Sequence, residues 1–186
     1  MAIVDGGDLV VKALKREGAR HIFALSGDYD MAIFDACIDE EMRIIDTRHE
    51  QAAIHMADGW ARVTGEPGVA VVTAGPGLAD AVPGVVTAYQ MGSPVVVISG
   101  RIPLKDFDTG FGMDYSQTQL LTPITKWAAT CYDIKRIPEY VAMAFRYATS
   151  GRPGPVFLDI PQDVLEAKIE EAQVPPLSWS RTRARP

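Results

Sequence analysis

Two stretches of this 186-residue chain set polar or conformationally special groups at the ends of apolar runs. The first is Thr47-Arg48-His49-Glu50-Gln51-Ala52-Ala53, in which a carboxylate opens a helix just after an apolar strand. The second is Thr73-Ala74-Gly75-Pro76-Gly77, a tight turn that opens the next helix after the next strand. An acid in the first turn of a helix is stabilised by the helix dipole, and that alone explains many such glutamates. The small and apolar neighbours of Glu50 (Ala52, Ala53 and Met56) offer a second reading. A carboxylate held in a low-dielectric pocket could share a proton with a bound heterocycle.

Other candidate chemistry is weaker. A helical zinc-protease motif needs two histidines four residues apart on one face. His49 and His55 are six apart, which puts them roughly 240° apart around a helix at about 100° per residue, so no metal site is predicted. His21 lies in an apolar strand and reads as a hydrogen-bonded core residue, and His55 reads as structural. Gly75-Pro76-Gly77 has the start of a dinucleotide fingerprint, but Asp80 stands where the third glycine belongs. About twenty residues further on the chain offers Arg101 rather than an acid, so an NADP reading is conceivable, although the strand is the third in the chain and not the first of a βαβ unit. A plain tight turn is the stronger reading. Asp28 reads equally well as a simple turn acid.

The composition bounds what these residues can serve. The chain is 47% hydrophobic and 23% charged, long enough for one domain with a sizeable core. Its net charge of -6 argues against a nucleic-acid partner. No apolar run reaches membrane-spanning length. The start, Met1-Ala2-Ile3-Val4-Asp5, has no basic segment followed by an apolar one, so no signal peptide and a cytoplasmic location are expected. Cys37 and Cys131 are far apart and outside any motif, as buried reduced thiols would be.

The elements that must position Glu50 and the glycine turn follow from periodicity. Helices are expected over Asp8–Gly18, Met31–Ile38, Glu50–Val63, Gly77–Met91 and Pro138–Thr149. Strands are expected over His21–Leu25, Arg43–Thr47, Val69–Thr73, Pro94–Ser99 and Val156–Ile160, with Trp127–Tyr132 as an edge strand. Residues 101–123 read as a long loop with one helical turn, the kind of loop that is often functional. Apolar runs such as Val95-Val96-Val97-Ile98 fit strands covered on both faces. The alternation predicts a three-layer α/β/α sandwich with a mostly parallel sheet of about six strands. Ligands of such sheets sit beyond the C-terminal strand ends. Three turns converge there: Ser26-Gly27-Asp28, Arg48-His49-Glu50 and Ala74-Gly75-Pro76-Gly77. From Val174 the chain turns Pro-rich and then basic (Arg181, Arg183, Arg185), which reads as a linker over 174–186 leaving a domain of residues 1–173.

Four stretches together give the chain a family likeness. They are Arg48-His49-Glu50-Gln51-Ala52-Ala53 with Ala57-Asp58-Gly59-Trp60-Ala61-Arg62; Ala74-Gly75-Pro76-Gly77; Pro94-Val95-Val96-Val97-Ile98-Ser99-Gly100; and Ser150 to Pro161. In this order and at these spacings they resemble the N-terminal pyrimidine-binding (PYR) domain of thiamine-diphosphate enzymes of the acetolactate synthase type. The likeness covers about residues 5–165. It implies the thiamine-diphosphate-binding fold and a lyase or carboligase (transferase) acting on a small 2-oxo acid. It implies that Glu50 is the catalytic glutamate that hydrogen-bonds N1′ of the cofactor's aminopyrimidine and favours its imino tautomer. The backbone around Gly75, Pro76 and Gly77 would pack on the pyrimidine, and Gly27, Asp28, Thr73 and Asp80 would lie near the substrate.

The departures bear on substrate rather than cofactor. Asp80 stands where many members carry asparagine. Gly27-Asp28-Tyr29 is similar to the turn of pyruvate-type decarboxylases, yet Gly112-Met113-Asp114 replaces their histidine pair, and the Phe-Gln-Glu run of many acetolactate synthases is not matched. The family binds the diphosphate through Mg²⁺ on a second domain that carries a Gly-Asp-Gly run, which these 186 residues lack. The resemblance therefore implies half a site, completed by the diphosphate-binding domain of a partner chain in a homodimer or homotetramer. This chain alone is expected to be inactive. Two alternatives remain at this stage. One is a split-enzyme subunit pairing with a separate diphosphate-binding chain, similar to sulfopyruvate decarboxylase. The other is a non-catalytic binding module that retains the fold.

Overall fold

The computed structural model describes residues 2–177. The chain opens with β1 (Ile3–Asp5) and α1 (Gly6–Arg16). The helix starts two residues before the periodicity suggests because Asp5 caps it. The Asp8 amide donates to Asp5 Oδ1 at 2.9 Å and the Asp5 amide to Asp8 Oδ2 at 3.0 Å, a reciprocal capping box. There follow β2 (His21–Leu25), α2 (Met31–Asp39), β3 (Arg43–Asp46), α3 (Glu50–Thr64), β4 (Gly68–Val72), α4 (Pro76–Met91) and β5 (Val95–Arg101). Then come α5 (Gln117–Leu121), β6 (Ala128–Thr130), α6 (Ile137–Thr149), β7 (Val156–Pro161), α7 (Gln162–Glu166) and β8 (Lys168–Glu170).

Six of the strands form one sheet in the order β3-β2-β4-β5-β7-β6, and every pairing is parallel. Of the four inner strands, β4, β5 and β7 are buried at every residue, whereas edge strand β3 is not. That is why they read as unbroken apolar runs. Their side chains alternate between two cores. Val69, Val71, Val96, Ile98 and Leu158 pack with α1, α2 and α6 residues such as Leu14, Ile33 and Phe145. Ala70, Val72, Val95, Val97 and Phe157 pack with Ile54, Leu78, Val85 and Ala88 of α3 and α4. The three-layer sandwich is thus as expected, and its sheet is wholly parallel. A feature the periodicity did not signal is the small antiparallel pair of β1 and β8 (Val4 opposite Ile169), which ties the two ends of the described chain together. The basic part of the linker reading, from 178 onward, lies outside the described residues.

This strand order decides where a ligand can sit. From β2 the chain steps outward to β3, then α3 carries it back across to β4 on the other side of β2. The order therefore reverses between β2 and β4, and the crevice beyond their C-terminal ends is the topological switch point, where open α/β sheets bind ligands. The loops at that point are Ser26–Asp30 and Thr73–Gly75, and the crossover helix beginning beside them is α3, whose first residue is Glu50.

Candidate active site

Each loop at the switch point is pressed against another. A Cβ added at Gly27 would lie 2.3 Å from Thr73 Oγ1, so the β2 loop rests directly on the β4 loop. Thr47 Oγ1 donates to the Ala24 carbonyl at 3.1 Å and to the His49 carbonyl at 3.1 Å, binding the end of β3 to β2 just before α3. His49 then caps α3, its Nδ1 accepting from the Gln51 amide at 3.2 Å. His55 pairs with Gln51 through Nε2 at 3.1 Å, which fits the structural reading. His21 packs edge-on against Phe23 and Trp60, and no hydrogen bond reaches its ring among the described residues, contrary to the hydrogen-bonded reading of its sequence context.

Glu50 is 9% exposed. Its Oε1 lies 2.9 Å from where a Gly77 Cβ would stand, with Thr73 Cγ2 at 2.7 Å from the same point. Carboxylate, threonine and glycine backbone thus line one wall, and a glycine is required at 77 for Glu50 to approach the helix start. Among the described residues no hydrogen bond reaches the Glu50 carboxylate. A carboxylate at a helix N-terminus is favoured by the dipole, and this one, in a residue only 9% exposed, has no donor among the described residues. A heterocycle with a ring nitrogen able to carry a proton would supply one, so these residues fit an aminopyrimidine. Gly75 sits at φ 68° and ψ -127°, a backbone region that suits glycine.

The other predicted residues divide. Gly27, Thr73, Gly75 and Gly77 come together with Glu50, while Pro76, Asp28 and Asp80 are exposed at the same end of the fold. The turn contains a carboxylate that the sequence reading passed over. Asp30 is fully buried and accepts from the Gly27 amide at 3.0 Å, and its Oδ2 has no partner among the described residues. Burial pushes Asp30 up to about 7 against the pull of the Gly27 amide, with Asp28 adding to the rise. The sequence gives two acids in Asp28-Tyr29-Asp30, and only the turn geometry separates the buried one from the exposed one.

A second omission is the end of the 101–123 loop. Gln117 is fully buried. Its Oε1 accepts from the Gly75 amide at 3.1 Å, and its Nε2 donates to the Gly100 carbonyl at 3.0 Å and faces Asp159 Oδ2 at 3.4 Å. Tyr115 Oη donates to the Gly75 carbonyl at 2.9 Å. Burial, with Asp159 behind it, pushes the Tyr115 phenol up and keeps its proton in place. Asp159 itself is raised to about 6 by burial, while Thr130, Arg101 and Gln117 pull the other way. Arg101 reaches Asp159 at 3.8 Å and lies 4.0 Å over the Phe107 ring.

Comparison with known proteins identifies the family. The family described as thiamine pyrophosphate enzyme, N-terminal TPP binding domain, matches residues 4–121. The chain belongs to that family. Its relatives are acetolactate synthases. It is 41% identical over 172 residues to a probable acetolactate synthase large subunit of Methanocaldococcus jannaschii, covering 92% of this chain and 29% of that protein. It is 41% identical over 160 residues to an acetolactate synthase of Bacillus subtilis, covering 86% of this chain and 28% of that one. The chain thus spans less than a third of the length of these relatives. No helix among the described residues is long and apolar enough to cross a membrane.

Proposed function

We propose that residues 1–173 form the aminopyrimidine-binding half of a thiamine-diphosphate-dependent lyase or carboligase acting on a 2-oxo acid, as an acetolactate synthase does. The observation that carries this reading is the Glu50 carboxylate, buried against Gly77 and Thr73 with no protein donor among the described residues. Bound thiamine diphosphate supplies the electron sink for chemistry at a 2-oxo acid carbonyl. The part of this chain is to bind, orient and hold a proton. Glu50 would accept from the pyrimidine N1′, and the Gly75–Gly77 backbone would set the plane of that ring. Gly27, Asp28, Thr73 and Asp80 border the adjoining space where a substrate would enter. Mg²⁺ and the diphosphate would be held by the diphosphate-binding domain of a partner chain. On this reading the complete site would lie between two chains of a homodimer or homotetramer, with the oxo acid in the crevice at the switch point.

The test uses the full-length protein with thiamine diphosphate, Mg²⁺ and pyruvate or another 2-oxo acid. Removing a positioned proton-transfer group costs about a hundred- to ten-thousand-fold. Glu50→Ala is expected to lose turnover by that factor and keep the unfolding midpoint of the parent. Unchanged turnover in Glu50→Ala overturns the assignment.

A further inference from the structure

The Gly75 peptide is gripped on both sides by a segment far from it in the chain. Its amide donates to Gln117 Oε1, and its carbonyl accepts from the Tyr115 phenol. A Cβ at Gly75 would fall 2.7 Å from Met113 Cγ, so the same loop also covers its α-carbon. Gln117 is anchored in turn through Nε2, which donates to the Gly100 carbonyl on β5 and faces Asp159 on β7. The orientation of its amide follows from these partners. The Gly75 N–H can only donate and the Gly100 carbonyl can only accept, so a flipped amide would lose both bonds. Gly100 cannot retreat, because a Cβ there would meet the Tyr29 carbonyl at 2.2 Å, so the Asp28–Asp30 turn packs on it.

We infer that Gln117 is a positioning residue for the thiamine-diphosphate site, fixing the Gly75 peptide at the φ and ψ that the Gly75–Gly77 turn needs to receive the aminopyrimidine beside Glu50. The inference rests on the proposed function. Two polar side chains remote in the chain, Gln117 and Tyr115, hold Gly75 by both its donor and its acceptor. A turn held this way is set before any ligand arrives, so binding need not also order it. Gln117 touches no reacting atom. It acts through Gly75.

The experiment uses the full-length protein and four variants: Glu50→Gln, Gln117→Leu, Gln117→Glu and Tyr115→Phe. Two quantities are read, the dissociation constant for thiamine diphosphate with Mg²⁺ and the unfolding midpoint without cofactor. Gln117→Leu is expected to weaken cofactor binding by about tenfold, the scale of one or two lost buried hydrogen bonds. KM for the oxo acid should stay within about twofold. Gln117→Glu keeps the acceptor for the Gly75 amide but turns an oxygen toward the Gly100 carbonyl and Asp159, so at neutral pH it should not restore binding. Tyr115→Phe should weaken binding by a few-fold, and combined with Gln117→Leu it should fall short of the product of the two, because both hold the one residue Gly75. If Gln117→Leu lowers the midpoint yet binds cofactor like the parent, Gln117 only packs the loop and the inference is overturned. If the parent binds no thiamine diphosphate, the proposed function fails first. If the parent binds it, Glu50→Gln weakens it and Gln117→Leu does not, the inference alone fails.

Discussion

The two edges of the sheet differ in kind. At the C-terminal edge, the side chains of Thr73, Met113 and Glu50 crowd Gly27, Gly75 and Gly77, and the Tyr29 backbone crowds Gly100, so that none has room for a methyl group without a neighbour moving, and carboxylates lie buried among them. At the N-terminal edge there is open volume. A cleft of about 620 Å³ runs between the α1–β2 connection and the end of α3, lined among others by Arg16, Arg20, His21, Trp60 and Glu66. A search for space alone would choose the second edge. Yet its charges of both signs lie near the solvent, and its one imidazole is pushed down by burial and by Arg43, edge-on to two aromatic rings. The first edge has little space of its own but converging polar groups, as one wall of a shared site would have. Convergence of donors and acceptors, not volume, marks the chemistry.

Two glycine replacements test this contrast, and they carry the largest expected effects. At Gly68, which opens β4 at the N-terminal edge, an added Cβ meets the Ala57 carbonyl at 2.1 Å, where backbone meets backbone. Gly68→Ala should cost about 3 kcal/mol in urea unfolding by overpacking. Any loss of activity should follow the folded fraction. At Gly77 the obstacles are the Thr73 and Glu50 side chains, which can rotate away. Gly77→Ala should therefore cost less than about 1 kcal/mol in stability while weakening thiamine-diphosphate binding by tenfold or more. If Gly77→Ala instead unfolds the protein, the tight packing at the C-terminal edge is architectural and the contrast is lost.

A smaller effect should appear in the pH dependence of stability. Asp30 is raised from 3.8 to about 7 and Asp159 from 3.8 to about 6, both chiefly by burial. Between those limits the folded protein binds more protons than the unfolded chain, so stability falls as pH rises and levels off above about 7. Below pH 3.8 both groups are protonated in either state and their contribution is complete. Asp30→Asn can keep an acceptor for the Gly27 amide without the burial of a charge. It should be more stable than the parent by on the order of 1–3 kcal/mol at pH 8, with the gap closing by pH 4. Unfolding midpoints measured from pH 4 to pH 8 give the answer, and parallel curves would show that Asp30 is not the titrating group.

The same contrast explains what the sequence disclosed. The inner strands were legible because burial on both faces leaves an unbroken apolar run, as in Val95–Ile98. The switch point was legible because Glu50 and the Gly75-Pro76-Gly77 turn combine residue type with a place just after a strand. Gln117 was not, since its partners at Gly75, Gly100 and Asp159 are remote and the segment before it has no period to read. Its local sequence, Ser116-Gln117-Thr118-Gln119, signals only a helix start, and Ser116 does accept from the Gln119 amide at 3.4 Å. The choice between Asp28 and Asp30 depended on the path of one short turn. The β1–β8 pair joins three-residue strands from opposite ends of the described chain, too short for alternation to stand out.

The smallest expected effect lies at the open edge. Trp60 is half-exposed, and its ring stands 4.4 Å from that of His21 at an interplanar angle of 82°. An edge-to-face pair of this kind adds about 0.5–1.5 kcal/mol beyond the area it buries. Trp60→Ala should thus lower stability by about 1–2 kcal/mol, because part of the ring already meets water. Losing the ring also exposes His21, which relieves the burial that pushes its imidazole down. The His21 titration should move upward, and proton NMR of the imidazole would follow it. Arg20→Ala, on the rim of the same cleft, should stay within about 0.5 kcal/mol of the parent. Neither change should move the dissociation constant for thiamine diphosphate, because Arg20 and Trp60 lie at the N-terminal strand ends whereas Glu50 opens α3 at the opposite ends, about ten residues of helix from Trp60. A cofactor affinity that shifted several-fold in Trp60→Ala would mean that α3 transmits strain from its last turn to its first, and the two edges would then have to be treated as one coupled site.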